Sequence, residues 1–415
     1  MVLSTDSKMS TESENQFMKD FKEKFMNYVS DSIDKDYECE MVINKHIISA
    51  EGFDRMIRYA KRHHTIEKTL HRETLDIRTE KSDVRVTISG KDNIYEYCKT
   101  NSIPLSDVIV VQKNRVNQYP SIQIKDYDVR LNVNNESSVN DEVKTEVLND
   151  LRKRGKYYRY KKRYSFVNDK KTLRIDMTIV RSSLHKNVKN LIRSKTLSNV
   201  EEFEVEIEVL PSTRIDSSQI VTDLLDITHS LLKENQNVKH LLSKTEEEKL
   251  LKEYASLVDP NVDLNYFLEN KTQHFLRYQP ITLMRRNLLE PDVDVVSIQK
   301  DYSCTEKADG ERYLMFICKQ GFVFFMNSRL TLFATGIKHP FMKSCLIDGE
   351  YITQGKLNSK LDMFMCFDCY IVQGKDIRST SLPSRLESIQ KILKDWTTNA
   401  PMIKQKEFFF GSENI

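Results

Sequence analysis

The stretch Glu204–Val209 reads EVEIEV. In an extended strand, residues two apart share a face. Glu204, Glu206 and Glu208 therefore stand together, opposite Val205, Ile207 and Val209. Like charges spaced about 7 Å along one face repel each other, and a face turned to bulk water gains nothing from them. A bound cation, or a facing row of basic side chains, reverses the sign of that interaction.

Five further stretches share the peculiarity. Tyr37–Val42 (YECEMV) sets Glu38 and Glu40 on one face, and Val84–Ile88 (VRVTI) sets Arg85 and Thr87 against three β-branched residues. Val129–Val133 aligns Arg130 with Asn132, and Tyr158–Tyr164 (YRYKKRY) aligns Arg159, Lys161 and Arg163. Leu173–Ile179 sets Arg174, Asp176 and Thr178 against Leu173, Ile175, Met177 and Ile179. Any one of these fits an ordinary sheet with a charged face in water. Two purely acidic faces and one purely basic face fit better in a closed antiparallel barrel with a polar inside, its apolar outer face covered by helices. Hard oxygen ligands suit Mg²⁺ or Mn²⁺, no His lies in these strands, and Cys39 points away from the glutamates, so zinc is not expected. Glutamates holding a metal beside Arg/Lys rows make a cradle for a polyphosphate, where charge is stabilised as water, oriented by a glutamate, attacks a terminal phosphate.

Composition limits the rest. At 415 residues the chain is long for one core, so two or three domains are expected. With 39% hydrophobic and 30% charged residues it is too apolar for disorder and too polar for a membrane protein. No apolar run approaches the roughly 18 residues of a spanning helix, and the first 30 residues are polar and charged, without the apolar core expected of a signal peptide. Seven scattered cysteines fit a reducing compartment. A net charge of +3 announces no partner by itself.

Helical spacing is read over Ser13–Ser32, with Ser13 as cap, and at about Ala50–His64, Lys91–Thr100 and Val139–Arg154. Two more helices are read over Asp216–Asn237 and Thr245–Leu257. The run Tyr278–Thr282 (YQPIT) marks a break before a second, strand-rich region. The expected division is a barrel domain over 1–214, a helical linker over 215–277 and a second domain over 278–415, in an α+β chain overall.

The order of these strands resembles the metal-dependent RNA triphosphatases of the triphosphate-tunnel type, over roughly residues 30–210. The resemblance implies that Glu38, Glu40, Glu206 and Glu208 are metal ligands or their neighbours. It further implies that Arg159, Lys161, Arg163 and Arg174 contact phosphate and that Asp176 orients a basic partner, with Arg85 and Arg130 as further phosphate contacts.

Thr305–Arg312 reads TEKADGER. Lys307-x-Asp309-Gly310-x-Arg312 resembles the lysine signature of covalent nucleotidyltransferases, the group of capping guanylyltransferases and polynucleotide ligases. A lysine that attacks an α-phosphate must be neutral, so burial or nearby cations should lower its pKa. Gly310 should permit a tight turn, and Arg312 should reach ribose or phosphate. Leu346–Ile352 (LIDGEYI) and Phe364–Tyr370 (FMCFDCY), followed by Arg385-Leu386, match the next strands of that group. There Glu350 is the expected nucleotide or metal contact. Phe367 stacks on a base or serves the core, and Arg329 contacts nucleotide or ends a hairpin. Cys366 and Cys369 should point to opposite faces, which makes zinc improbable. The later strands of the group are not met before Ile415, so the nucleotidyltransferase is read as its first part only.

Together the two regions resemble the mRNA capping enzymes of large DNA viruses. That implies 5′-triphosphate RNA and GTP as substrates, a methyltransferase or other capping subunit as partner, and a place in the host cytoplasm or the virion. An ATP-dependent polynucleotide ligase and a non-catalytic RNA 5′-end binding fragment remain as alternatives.

Overall fold

The structure, a computed structural model, describes residues 22, 25–67, 73–79, 84–103, 108–185, 187–211, 216–238, 240–276, 278, 281–289, 297–299, 301–355, 359–396 and 401–410. Ser13, Phe17 and Phe21 of the first expected helix, and the Gln279-Pro280 break, lie outside these residues. The chain divides into two compact units, one ending at Asn237 and one beginning at Val238.

The first unit holds strands β1 (Glu38–Ile43), β2 (Thr65–Ile66), β3 (Glu73–Thr79), β4 (Val84–Ser89), β5 (Val108–Arg115), β6 (Ile122–Ile124), β7 (Val129–Ser138), β8 (Lys156–Val167), β9 (Leu173–Ser182) and β10 (Glu202–Val209). The order β1-β10-β9-β8-β3-β4-β5-β7 returns to β1 through a β1–β7 ladder, which closes an eight-stranded antiparallel barrel. Registered partners point the same way, so pairing carries the polar parity around the ring. Glu40 lies opposite Glu208 and Asn132, Glu206 opposite Asp176, Arg163 opposite Thr178, and Arg159 opposite Asp76.

The other parity faces outward into helices, as the alternation requires. Leu75, Ile77, Val86, Ile88 and Tyr158 are buried with Ile94 and Tyr97 of the helix Lys91–Thr100 and Leu151 of the helix Asp141–Lys153. The helix Ala50–His63 is capped by Ser49, whose side chain accepts from Gly52 N. It packs at Gly52 so closely on the helix Ser217–Gln236 that a Cβ there would lie 2.3 Å from Asn235 Oδ1. Arg55 donates to the Glu234 and Asn235 carbonyls at 2.7 and 2.9 Å, closing that helix's C-terminus.

The second unit is built on a sheet of β12 (Glu311–Ile317), β13 (Phe322–Met326), β14 (Leu332–Lys338), β15 (Cys345–Gln354), β16 (Lys360–Val372) and β17 (Lys375–Asp376), with β18 (Met402–Gln405) parallel to β16. The short pair β11 (Ser303–Cys304) and β19 (Phe409–Phe410) stands apart from it. Both sheet faces are buried, which explains the nearly unbroken apolar runs of these strands. Leu314 and Phe316 face Leu251, Tyr254 and Phe267 of the helices Lys244–Val258 and Leu264–Glu269. Met315 and Ile317 face Leu386, Ile389 and Ile392 of the helix Leu382–Leu393. The residues expected as a linker are thus shared out: the helix Ser217–Gln236 packs within the first unit and the helix Lys244–Val258 within the second, because each carries an apolar stripe its own sheet or neighbouring helix covers.

Candidate functional sites

Inside the barrel lies a cavity of about 400 Å³ whose lining includes Asp76, Arg85, Glu136, Lys161, Arg163, Ser165, Arg174 and Asp176. Of the residues expected at phosphate, Arg85, Lys161, Arg163, Arg174 and Asp176 line it. Arg130 and Arg159 do not line it: Arg130 donates to Asn44 Oδ1, and Arg159 donates to Glu204 at 2.6 Å.

The charges are held in pairs. Asp176 is 2% exposed and accepts from Arg163 at 3.1 Å, Arg174 at 3.2 Å and Ser165 at 2.5 Å. Both arginines are thus tied to one buried carboxylate. Lys161 lies 2.6 Å from Asp76, which also accepts from Thr87 at 2.8 Å. Burial pushes the Asp76 carboxyl up, but Lys161 and Arg85 outweigh it and hold the group below the usual carboxylate range. Burial and the neighbouring Arg159 and Arg163 pull the Lys161 ammonium down, against Asp76.

The four glutamates occupy β1 and its neighbour β10. Burial, then the Glu206 carboxylate, push the Glu40 carboxyl up to about 7. Burial likewise pushes Glu208 up to about 7, against the pull of Arg174, with which it is paired. Arg163 stands 3.8 Å from Glu206. Lys113 pairs with Glu38 and lies 3.7 Å from Glu40 and 3.6 Å from Glu136. Among the described residues no three such side chains are drawn together as a cation site. The donor set is nonetheless all oxygen, and two carboxylates raised toward neutrality by burial and by neighbouring carboxylates, Glu38 among them, are the groups a hard divalent cation would relieve. The glutamates therefore fit such a cation chemically.

In the second unit Arg312 forms a fork on Asp348, with Nε to Oδ1 at 3.0 Å, and the fully buried Asp348 also accepts from Tyr370. Glu350 pairs with Lys406 at 3.1 Å. Phe367 is half-buried, with Arg312 at 5.7 Å and Lys406 at 5.4 Å from its ring centroid. It is not a core residue, and a bulge explains why: two β16 steps between Cys366 and Asp368 oppose one β15 step between Gly349 and Asp348. The same irregularity corrects the expectation for the cysteines, since Cys366 and Cys369 both face the core against the helix Leu382–Leu393. Arg385 holds Asp368 through two bonds of 2.7 and 3.1 Å.

Lys307 is 87% exposed, its ammonium 3.1 Å from Asp309. The expected burial is absent, because the segment 305–310 precedes β12 outside the sheet. Gly310 serves close approach, not a left-handed turn: a Cβ would stand 2.9 Å from the Tyr351 carbonyl oxygen. Thr305 donates to the Glu407 carbonyl at 2.7 Å, which ties the Lys307 segment to the stretch carrying Lys406. Arg329 is exposed at the β13–β14 turn.

Sequence reasoning passed over Lys113, Asp76, Glu136 and Asp348, and set Lys406 aside with the Lys404-Gln405-Lys406 run as coming too early for a phosphate-binding strand. The signal for the first three was the same alternation: in β5 Lys113 and Arg115 share a parity, as do Asp76 and Arg78 in β3. Lys406 carries no such signal, since its place depends on β18 running parallel to β16.

Known proteins resemble parts of this chain. Residues 233–412 match the family described as mRNA capping enzyme, catalytic domain. The probable mRNA-capping enzyme of Acanthamoeba polyphaga mimivirus is 30% identical over 246 residues, 57% of this chain and 18% of that protein. The chain thus spans about a fifth of the length of that curated relative. Among solved structures, the mimivirus capping enzyme triphosphatase is 20% identical with a TM-score of 0.39, covering 52% of this chain and 98% of that one. The S. pombe Pct1 RNA triphosphatase in complex with the Spt5 CTD is 13% identical with a TM-score of 0.33, covering 52% and 93%. The resemblance to capping enzymes of large DNA viruses is borne out. No helix of the described residues is long and apolar enough to cross a membrane.

Proposed function

We propose that this chain acts in mRNA 5′-capping, the barrel removing the terminal phosphate of 5′-triphosphate RNA and the second unit transferring GMP. The observation that carries the first half is the closed barrel with carboxylates and Arg/Lys rows on its inner face. Arg85, Lys161, Arg163 and Arg174 grip the phosphate chain, and their partners Glu136, Asp76 and Asp176 keep them aimed where charge develops. Glu38, Glu40, Glu206 and Glu208 hold a divalent cation, Mg²⁺ or Mn²⁺, which supplies Lewis acidity toward phosphoryl oxygens. A glutamate of this group orients the attacking water.

In the second unit Lys307 Nζ, having lost a proton, bonds to the α-phosphorus of GTP as the bond to the bridging oxygen breaks and pyrophosphate leaves. GMP then passes from Lys307 to the diphosphate RNA end. Asp309, Gly310, Arg312 and Glu350 frame the nucleotide, and Arg329 lies on the adjacent hairpin. Phe367 offers its ring to the base, with Lys406 held beside it by Glu350. The setting is host cytoplasm or virion, with a methyltransferase completing the cap.

The test is phosphate release from γ-labelled triphosphate RNA with Mg²⁺ or Mn²⁺. Glu38→Ala and Glu208→Ala are each expected to lower it by ~10²-fold or more, the scale of a lost charge-stabilising group. Unchanged release with RNA still bound would leave a binding protein in place of a hydrolase. Label on Lys307 from ATP and not GTP would replace the capping reading with a ligase-type one.

A further inference from the structure

The barrel unit has a second cavity, of about 240 Å³, lined by Arg115, Asn117, Tyr119, Ser121, Asn132 and Asn134 among others. Its chemistry differs. The phosphate cavity carries acids and bases in pairs, whereas this one has neutral amides and hydroxyls with a single guanidinium. Neutral donors and acceptors of this sort suit ribose hydroxyls and base edges, which carry no charge to neutralise.

Two residues of this lining touch the β1 glutamates. Asn134 donates to Glu40 at 3.2 Å and to Glu38 at 3.4 Å, and Asn132 donates to Glu40 at 3.4 Å. On its other side Asn132 accepts from Ser121 at 2.7 Å. The outer wall is firmly built: Tyr28 donates to the Pro120 carbonyl at 3.0 Å, Lys35 donates to the Tyr119 hydroxyl at 2.9 Å, and that hydroxyl donates to Asp31. Arg115, opposite Asn134 in the β5–β7 ladder, is exposed and makes no ion pair among the described residues.

We propose that this cavity is the subsite for the 5′-terminal nucleoside of the triphosphate chain, with Arg115 on the phosphodiester that leads to the next nucleotide. The inference rests on the barrel being a triphosphatase. It fixes a direction: the phosphates lie toward the Arg/Lys rows and the nucleoside toward Asn132 and Asn134.

The experiment compares three substrates on the full chain: triphosphate-ended oligoribonucleotide, GTP and inorganic tripolyphosphate, the last having no nucleoside. Arg115→Ala is expected to raise KM for the oligonucleotide ~10-fold, the scale of one charge-assisted contact. The ratio of that KM to the tripolyphosphate KM should rise with it. Ser121→Ala should raise the KM of GTP relative to tripolyphosphate, because Ser121 holds the Asn132 amide in position through its Oδ1. A common change across all three substrates, or none, overturns the subsite. Equilibrium binding of GTP and tripolyphosphate is measured alongside. If the chain binds both and hydrolyses neither, the hydrolase reading fails, and the shift in relative affinity still decides the subsite either way.

Discussion

At the scale of single residues, the tunnel's character rests on carboxyls that ionise out of their usual range. Glu40 and Glu208 are raised from 4.5 to about 7, both by burial first. Between about pH 4.5 and about 7 the folded chain therefore holds more protons on these two groups than the unfolded chain does. In metal-free buffer their contribution is full at the acid end of that window and is lost as pH rises through about 7. Asp76, held low, acts elsewhere: its contribution is present above about pH 4 and is lost only as pH falls through its depressed folded value. Melting in EDTA is thus expected to occur at lower temperature at about pH 7.5 than at about pH 5, with a smaller gap in the Glu40→Gln/Glu208→Gln double variant. Because a cation binds only the deprotonated carboxylates, Mg²⁺ or Mn²⁺ should raise the melting temperature more at the higher pH. A melting temperature indifferent to pH and metal, or the same metal response in the double variant, would remove the four glutamates as a cation site.

At the scale of elements, alternation made the barrel legible and irregularity hid the second site. Strand parity in EVEIEV and YRYKKRY placed ionic side chains on one face, and closure of the ring turned that face inward. Ladder partners such as Arg159 with Asp76 were not legible, because register between strands far apart in sequence is set by packing and connection geometry. In β16 the alternation rule misleads, since the bulge at Phe367 turns that ring toward Arg312 and Lys406 and puts both cysteines in the core. The close β15–β16 fit that accompanies this bulge is testable at Gly349. A Cβ there would meet the Phe364 ring at 2.4 Å and the Met365 carbonyl oxygen at 2.7 Å, and Phe364 is itself stacked on Phe325 with centroids 4.8 Å apart. With nothing free to move aside, Gly349→Ala should cost about 1–3 kcal/mol, as overpacking does. Denaturant unfolding followed through the second unit would read it, and a loss under about 0.5 kcal/mol, the scatter of ordinary surface changes, would show that the strands can part.

At the scale of the whole molecule, the chain holds two units with separate cores and separate chemical equipment. The phosphate cavity is lined only by residues of the first unit, and Lys307, Asp309, Arg312, Glu350, Phe367 and Lys406 all belong to the second. Nothing in the proposed hydrolysis requires a group from beyond Asn237, and nothing in lysine attack requires one from before it. Lys307→Ala should therefore abolish GMP labelling of the chain while phosphate release from triphosphate RNA stays within about twofold of the parent, since sites without shared partners behave additively. The Glu38→Ala/Glu208→Ala chain should show the reverse, labelled by GTP yet slow to release phosphate. Lys307 is exposed, and its alanine variant disturbs no packing, so misfolding is not an available explanation for a joint loss. Parallel loss of both activities in either variant would mean that the units share one active centre, and the assignment of hydrolysis to the barrel and transfer to the sheet would have to be abandoned together.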